Sequence, residues 1–241
     1  MKIALDTHTH TLASGHAYST INEMAMAASE KKLDILAITE HAMTMPGTCH
    51  QYYFENLKVV PRNMHGVRLM LGTEANIMDF NGTVDMPDYL LEKMDLVIAS
   101  LHLPCFTVGT PEENTQAVIN AMKHNCISII GHPDDARIPL IYEPIVKAAK
   151  EHHVLLEVNN SSLNPNGWRQ NARENATTML KLCKEYGVAI SLGSDAHVAC
   201  DVANFNYAME VLKEVEFPED LIANTDADKF LALLRRKRPN L

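Results

Sequence analysis

The 241-residue sequence lacks a cysteine framework. Its five cysteines are odd in number, widely spaced and without a Cys-x-x-Cys pair, so neither disulfides nor a cysteine-based zinc site is expected. They stand at Cys49, Cys105, Cys126, Cys183 and Cys200. We interpret them as reduced thiols in or near the core, because unpaired cysteine behaves as a small apolar residue.

The sequence also lacks an excess of positive charge and any long apolar run. Its net charge of −9 at pH 7 argues against nucleic acid as a partner, because phosphate backbones need a basic surface. No apolar run approaches the ~18 residues of a membrane span. The opening segment MKIALDTHTH turns polar too early for a signal peptide. We therefore expect a cytoplasmic protein with no membrane partner.

No GxGxxG turn follows the first apolar run, which argues against an open dinucleotide-binding sheet. Instead, short Ile/Val/Leu-rich runs alternate with amphipathic segments, a pattern typical of parallel strands with helices on their faces. The predicted strands are residues 2–10, 33–41, 67–74, 94–102, 127–132, 154–160 and 188–197. Helices are predicted from Ser19, where Thr20 and Glu23 have capping-box spacing, and over roughly 48–60, 112–124, 142–152, 172–186, 201–214 and 226–237. The alternation predicts an α/β barrel in a single domain covering residues 1–241.

Histidine is abundant, and its positions form a pattern. Six of the seven predicted strands deliver His, Asp or Glu at or just beyond their carboxyl ends. These residues are His8, His10, His41, Glu74, His102, His132, Asp195 and His197. One such histidine alone is more simply a hydrogen-bonded polar residue. Six strand ends that all carry such a residue are improbable by chance. In a parallel barrel the carboxyl ends of the strands lie on one face, and that face carries the active site.

The other histidines divide into two groups. His16 follows His10 closely in the stretch DTHTHTLASGHAYST and is included in the cluster. We assign the remaining five to the surface or to helices: His50, His65, His124, His152 and His153. The cluster therefore contains seven of the 12 histidines.

Asp6 precedes this histidine pair in the first strand. Residues two apart on a strand share a face, so Asp6, His8 and His10 are expected to point the same way. The Asp6 carboxylate could orient an imidazole from behind. It could equally be a buried carboxylate that accepts hydrogen bonds from the barrel backbone. The sequence favours neither reading.

Seven imidazoles and two carboxylates exceed what one ion needs. Two or three ions with a bridging carboxylate fit better, and imidazole ligands favour zinc, with manganese or iron as substitutes. Such ions carry more positive charge than two carboxylates neutralise, so the pocket should attract a compact anion. We predict hydrolysis of a small phosphate monoester by a metal-bridging hydroxide. The candidate catalytic residues are Glu74, Asp195 and His197.

Alternatives stay open. A phosphodiesterase or nuclease would share the metal chemistry, but the chain is acidic and has no aromatic and basic stripe for nucleic acid. An amidohydrolase-like enzyme would need a bridging lysine, which no predicted strand end supplies. A non-catalytic metal-binding protein differs in needing no open coordination position.

Several motifs resemble one known family. HAYSTINEMA, AITEHA, GTEANI, IIGHP, EVNNSS and LGSDAH are similar to stretches of the PHP (polymerase and histidinol phosphatase) superfamily, and within it of the YcdX-type phosphatase subgroup. The resemblance spans nearly the whole chain. It implies a phosphatase with a distorted (β/α)7 TIM-like barrel and a trinuclear metal centre, usually of zinc. It also implies a possible trimer.

The resemblance further implies a ligand set for each of three divalent ions. One ion would take His8, His10, Glu74 and Asp195, a second His16, His41 and His197, and a third Glu74, His102 and His132, with Glu74 bridging. Residues around Asn159, Asn160, Ser161, Arg169 and Arg173 could line the mouth of the site. Arg169 and Arg173 are the basic candidates for a phosphate contact, although exposed positions at a helix start are the simpler reading for both.

Overall fold

The computed structural model describes residues 1–239, and its strands match the seven predicted apolar runs. The strands are β1 Leu5–Asp6, β2 Ile35–His41, β3 Asn63–Met64, β4 Val67–Asn76, β5 Val97–Ser100, β6 Ile129–Gly131, β7 Leu155–Asn159 and β8 Ile190–Gly193. β3 has no predicted counterpart and forms a short antiparallel hairpin with β4. All other neighbours pair in parallel.

The seven parallel strands form a nearly closed barrel in the order β1-β2-β4-β5-β6-β7-β8. β1 is short because the chain beyond Asp6 leaves the regular ladder. It continues in extended form, and closure comes from a parallel bridge between Thr9 and Ala196. The Asp195 N–H also donates to the His8 carbonyl at 2.9 Å. The predicted barrel, a distorted (β/α)7 fold, is thereby confirmed.

Helices follow the strands and cover the outside of the barrel. They are α1 Ile21–Glu30, α2 Gln51–Asn56, α3 Asp88–Leu91, α4 Pro111–Met122, α5 Tyr142–His152, α6 Ala172–Tyr186, α7 Asn206–Glu214 and α8 Ala227–Lys237. The predicted capping box of Thr20 and Glu23 is present at the start of α1. α3 was not predicted. The helix expected over 201–214 begins only at Asn206, because a 3-10 turn and a loop precede it.

The apolar core has two parts. The larger lies between the sheet and the surrounding helices, and the smaller fills one end of the barrel interior. In the smaller part, Leu5, Ile35 and Leu155 at the amino ends of their strands pack with Phe230 and Leu234 of α8. α8 therefore covers the amino-terminal end of the barrel. The carboxyl ends of the strands are left to form the functional face.

Candidate metal centre

The structure brings all nine predicted ligands together at the carboxyl ends of the parallel strands. Each has a ring nitrogen or carboxylate oxygen within 4 Å of another member. For His16 this neighbour is His41, and for His197 it is Asp195. The strand endings place them there: His41 ends β2, His132 directly follows β6, and Asp195 comes two residues after β8. Residues far apart in sequence therefore surround one space.

Four ligand atoms at the centre have the spacing of a small-ion site. His8 Nε2 lies 3.0 Å from His10 Nε2 and 3.3 Å from Glu74 Oε2. His10 Nε2 lies 3.3 Å from Asp195 Oδ1. Zinc bound tetrahedrally at about 2.0–2.1 Å holds its ligand atoms ~3.3 Å apart, so this arrangement fits the first predicted set.

The Glu74 carboxylate lies between two groups of histidines and is fully buried. Its Oε1 is 2.8 Å from His132 Nε2 and 3.2 Å from His102 Nε2. Its Oε2 is 2.8 Å from His41 Nδ1, yet neither of these two atoms has a partner with hydrogen-bond geometry. The two oxygens thus face different groups, as the bridging role predicted for Glu74 requires.

The second predicted set, His16, His41 and His197, is looser. His16 Nε2 lies 3.3 Å from His41 Nε2, and the rings of His16 and His197 are 4.9 Å apart between centroids. The compact group here contains His10, His41 and His197, whose ligand atoms lie within 4.8 Å of one another. His16 instead stands at the exposed rim of the site. Its Nε2 contacts the cluster at His41, and it lies outside the compact group.

Two of the nine residues have an unusual backbone conformation. His132 has φ of 26° and Asp195 has φ of 55°, both in the left-handed region. Such values cost free energy for residues with a side chain, and they concentrate at functional sites. At both positions the turn comes right after a strand and directs the side chain into the cluster.

Hydrogen bonds behind the rings fix the orientation of four histidines. His8 Nδ1 is 2.7 Å from Glu157 Oε1, and His197 Nδ1 is 2.9 Å from the Asp195 carbonyl. Both partners can only accept. Each Nδ1 must therefore carry the proton, and in the neutral ring Nε2 holds the lone pair.

The same holds for His10 and His102. His10 Nδ1 is 3.0 Å from Ser14 Oγ, whose own hydroxyl donates to Glu40 Oε2 at 2.6 Å. His102 Nδ1 is 2.7 Å from Asn76 Oδ1, and the Asn76 amide group is oriented by donation to Asp85. In their neutral forms the rings of His8, His10 and His102 turn an Nε2 lone pair toward the cluster, and the lone pairs of His8 and His10 face each other. Such an arrangement needs a cation between the rings, either a proton or a metal ion.

The electrostatics of the site also demand positive charge. Burial alone would lower the pKa of His8, but Glu157, Glu74 and Asp195 outweigh it and raise that pKa well above its usual value. Burial would likewise raise the pKa of Glu74, yet His102, His8 and His41 hold it well below the usual range. The carboxylates therefore stay ionised, and their charge must be balanced within the cluster.

Three other histidines of the cluster have lowered pKa values, which favour the neutral ring. Burial lowers the pKa of His102 to about 4. Burial and the neighbouring His41 also lower the pKa of His10, and the same two causes lower that of His16. Neutral imidazole is the form that binds metal ions, so these rings are ready to act as ligands.

Asp6 does not orient an imidazole. Its carboxylate accepts from the backbone N–H groups of His8, Ser194 and Ala203, so the second of its two readings is right. The orienting carboxylate is Glu157 in β7, which the sequence analysis missed. A charged residue inside the apolar run VLLEVNN was the available signal.

The two candidate phosphate contacts, Arg169 and Arg173, differ in burial and in partners. Arg169 has a side chain only 11% exposed, with guanidinium nitrogens 3.9 Å from Asp134 Oδ1 and 3.9 Å from Asp195 Oδ2. The expectation of an exposed position is therefore wrong for Arg169. It is right for Arg173, which pairs with Glu210 and Glu214 at the surface.

Of the five residues expected at the mouth, Ser161 and Arg169 line the cavity. Asn159 instead donates to Asp195 Oδ2 at 3.2 Å, beside the centre. Asn160 is buried, and its side-chain oxygen accepts from the backbone at the start of α7. Its role is therefore to hold α7 in place.

A cavity of about 380 Å³ opens above the cluster. Seven of the nine predicted ligands line it, whereas His8 and His10 do not border it and are fully buried. This volume lies near the lower end of small-molecule sites, which span about 300–1,000 Å³. The cavity therefore suits a compact ligand.

The remaining reactive side chains lie apart from the cluster. Burial raises the pKa of the Cys105 thiol to about 11, so this residue is protonated at neutral pH and is not an activated nucleophile. The five histidines assigned to the surface or helices are absent from the cluster, and none of them is fully buried. Within residues 1–239, no helix is both long and apolar enough to cross a membrane.

Comparison with known proteins identifies the family. Residues 6–194 match the PHP domain, so the chain belongs to the PHP domain family. It is 47% identical over 237 residues to a protein of Clostridium novyi named "Probable phosphatase", covering 98% of this chain and 96% of that protein. A "Probable phosphatase" of Caldicellulosiruptor saccharolyticus is 44% identical over 241 residues, with 100% of both chains covered.

Solved structures share the barrel. A histidinol phosphate phosphatase from Lactococcus lactis, crystallised with zinc, L-histidinol and phosphate, superposes with a TM-score of 0.60. The match covers 89% of this chain and 94% of the other at 16% sequence identity. At that identity the likeness establishes the fold alone.

Proposed function

We propose that this protein is a metal-dependent phosphatase that hydrolyses a small phosphate monoester. Phosphatase is also the activity named for its relatives in Clostridium and Caldicellulosiruptor. The observation that carries the proposal is that His8, His10 and His102 have their Nδ1 atoms engaged from behind and their Nε2 atoms facing the cluster. Three imidazoles oriented in this way around ionised carboxylates form a metal site rather than a polar core.

The donor set fits three divalent ions of the zinc type. We assign His8, His10, Glu74 and Asp195 to the first, and Glu74, His102 and His132 to the third. For the second we assign His41 and His197, completed by His16 at the exposed rim. A donor set of seven imidazoles favours zinc, and manganese or iron would be accepted by the same atoms.

The chain's own residues select the substrate by charge and size. Arg169, held near Asp134 and Asp195, presents a cation to the cavity beside the centre and would bind a phosphoryl oxygen. Burial raises the pKa of Asp134 to about 6, so this carboxyl group is still mostly ionised at pH 7 and holds the Arg169 guanidinium beside the centre. The small cavity admits a monoester more readily than a polymer.

The bound ions would supply an activated water and neutralise charge on the phosphoryl oxygens. Glu74, Asp195 and the imidazoles would keep the reacting groups in place. In the overall reaction, a water oxygen bonds to phosphorus, the bond from phosphorus to the ester oxygen breaks, and the departing alcohol takes up a proton. Glu74 and Asp195 stay ionised throughout, because the surrounding histidines hold both pKa values low.

The decisive experiment combines metal analysis with a phosphatase assay on the wild type and Glu74→Gln. We expect two to three transition-metal ions per wild-type chain and turnover of a generic aryl phosphate. Glu74→Gln should lose at least one ion and at least about a hundredfold in rate, because one carboxylate faces two ligand groups. Glu92→Gln, at an exposed glutamate remote from the site, is the matched control.

The outcomes separate the alternative functions. Turnover by metal-free protein, or full activity in Glu74→Gln, would contradict the proposed mechanism. Hydrolysis of bis(p-nitrophenyl) phosphate faster than of p-nitrophenyl phosphate would favour a phosphodiesterase. Binding of metal in stoichiometric amount without turnover of either compound would indicate a non-catalytic metal-binding protein.

A further inference from the structure

The cavity above the candidate metal centre is lined in part by apolar side chains, and one aromatic ring is among them. These residues are Met45, Leu101, Leu103, Pro104, Ile138 and Trp168. Trp168 is 71% exposed and is the single tryptophan of the sequence. The proposed chemistry at the metal centre makes no use of these side chains.

The indole of Trp168 is held in place although it is exposed. The guanidinium of Arg137 lies over the ring, 4.9 Å from its centroid. Arg137 is itself fixed by Asp135, which accepts from its Nε at 3.0 Å and also from Nη2. Asp135 accepts as well from the backbone N–H of Arg137 and Gln170. One face of the indole is therefore covered by a cation, and the exposed remainder is free to contact a ligand.

Trp168 and Arg169 are adjacent in sequence, but their side chains line the cavity at different depths. Arg169 reaches the buried carboxylates Asp134 and Asp195, whereas Trp168 stays at the surface. A ligand with its phosphate beside Arg169 would therefore have its other end near the indole. Because the cavity measures about 380 Å³, that other end is about the size of one ring system.

We propose that the cavity is built for phosphate esters of an aromatic alcohol, whose flat ring stacks on Trp168. This inference rests on the proposed phosphatase function. Stacked aromatic rings attract each other beyond the area they bury, so a planar leaving group gains more here than a puckered one of equal size. Trp168 is then a specificity-determining residue, and Asp135 and Arg137 position it.

A pair of substrates isolates the stacking contribution. Benzyl phosphate and cyclohexylmethyl phosphate both release a primary alcohol, so they differ mainly in the planarity of the ring. For the zinc-loaded enzyme we expect Trp168→Ala to raise KM for benzyl phosphate by about threefold to tenfold. The kcat for both esters, and KM for cyclohexylmethyl phosphate, should change by less than twofold.

Three further variants test the ring itself. Trp168→Phe should restore most of the preference for the benzyl ester, whereas Trp168→Leu, which keeps apolar bulk, should not. Tyr52→Ala is the matched control, because Tyr52 is 70% exposed and does not line the cavity. Equal KM increases for both esters in Trp168→Ala, or no increase for either, would overturn the proposal.

A binding measurement keeps this test separate from the phosphatase assay. Trp168 is the only tryptophan, so its fluorescence reports directly on a ring at the cavity mouth. We expect the non-hydrolysable benzylphosphonate to quench it with a lower Kd than cyclohexylmethylphosphonate. Quenching without turnover of any ester would contradict the phosphatase and leave the aromatic subsite intact. Absence of quenching at saturating benzylphosphonate would overturn the subsite.

Discussion

At the scale of single residues, Glu157 is a side chain outside the assigned ligand set that contacts two members of the candidate metal centre. Its Oε1 holds His8 Nδ1 at 2.7 Å, while its Oε2 accepts from the His132 backbone at 2.7 Å. Gly193 is required beside it, because a Cβ there would lie 2.0 Å from Glu157 Oε1. One carboxylate thus orients one assigned ligand and anchors the backbone of another.

Replacement of Glu157 by Gln should weaken metal binding without unfolding the barrel. Gln would turn an amide N–H toward either His8 Nδ1 or the His132 N–H, and both of those groups need an acceptor. We expect zinc affinity to fall about 10–100-fold, as for other groups behind metal ligands. Competition with a fluorescent chelator measures this, with Glu151→Gln, at an exposed helical position, as control. Unchanged affinity would show that Glu157 has no orienting role.

At the scale of secondary-structure elements, the gap between β1 and β8 is bridged by a side chain. Asn224 is fully buried. Its amide donates to the carbonyls of Leu5 at 3.0 Å and Leu192 at 2.8 Å, and its oxygen accepts from the Leu192 N–H at 2.7 Å. It therefore supplies the hydrogen bonds that a direct ladder between these two strands would have provided.

Asn224→Ala should destabilise the barrel markedly. The change leaves the buried Leu192 N–H without its acceptor and removes a donor from the Leu5 and Leu192 carbonyls, of which Leu192 keeps the Thr7 hydroxyl at 2.9 Å; each such loss is costly. We expect the free energy of unfolding to fall by about 2–4 kcal/mol, measured by urea denaturation. Asn206→Ala, at an exposed asparagine, should change it by less than ~0.5 kcal/mol. A loss of similar size in both variants would argue against a bridging role.

At the scale of the whole molecule, the assigned ligands join distant parts of the chain. His8, Glu74 and Asp195 meet in one group, although Glu74 lies in the third parallel strand of the barrel and the other two follow its first and last strands. Bound ions would therefore fasten the carboxyl end of the barrel, opposite the end that α8 covers. The predicted trimer concerns the assembly of several chains and the cytoplasmic location concerns the cell, and both stay predictions.

Removal of the metal should lower thermal stability. An ion that binds only the folded state at a free concentration of 100 times its Kd adds about 2.7 kcal/mol. For a chain of this size that corresponds to a fall in Tm of about 5–10 °C on chelation. Calorimetry with and without a chelator measures it, and added zinc should reverse it. Equal Tm values in both conditions would contradict a tightly held metal centre in the native protein.

The barrel and most of the cluster could be predicted because both depend on local patterns. Each strand is an apolar run of its own, and each assigned ligand follows such a run or lies in the adjoining loop. Glu157 and Asn224 could not be found in this way. Their roles depend on partners such as His8 and Leu5 that come together only when the barrel closes.

The sequence by itself determined the alternation of strands and helices and the residues at the strand ends, because periodicity and side-chain chemistry are properties of short segments. Only the tertiary structure decided which imidazole nitrogen faces the cluster, that Arg169 is mostly buried beside it, and that Trp168 lines the cavity. Those features are set by distances between residues from different strands and loops. They arise from packing, which no single segment of the chain contains.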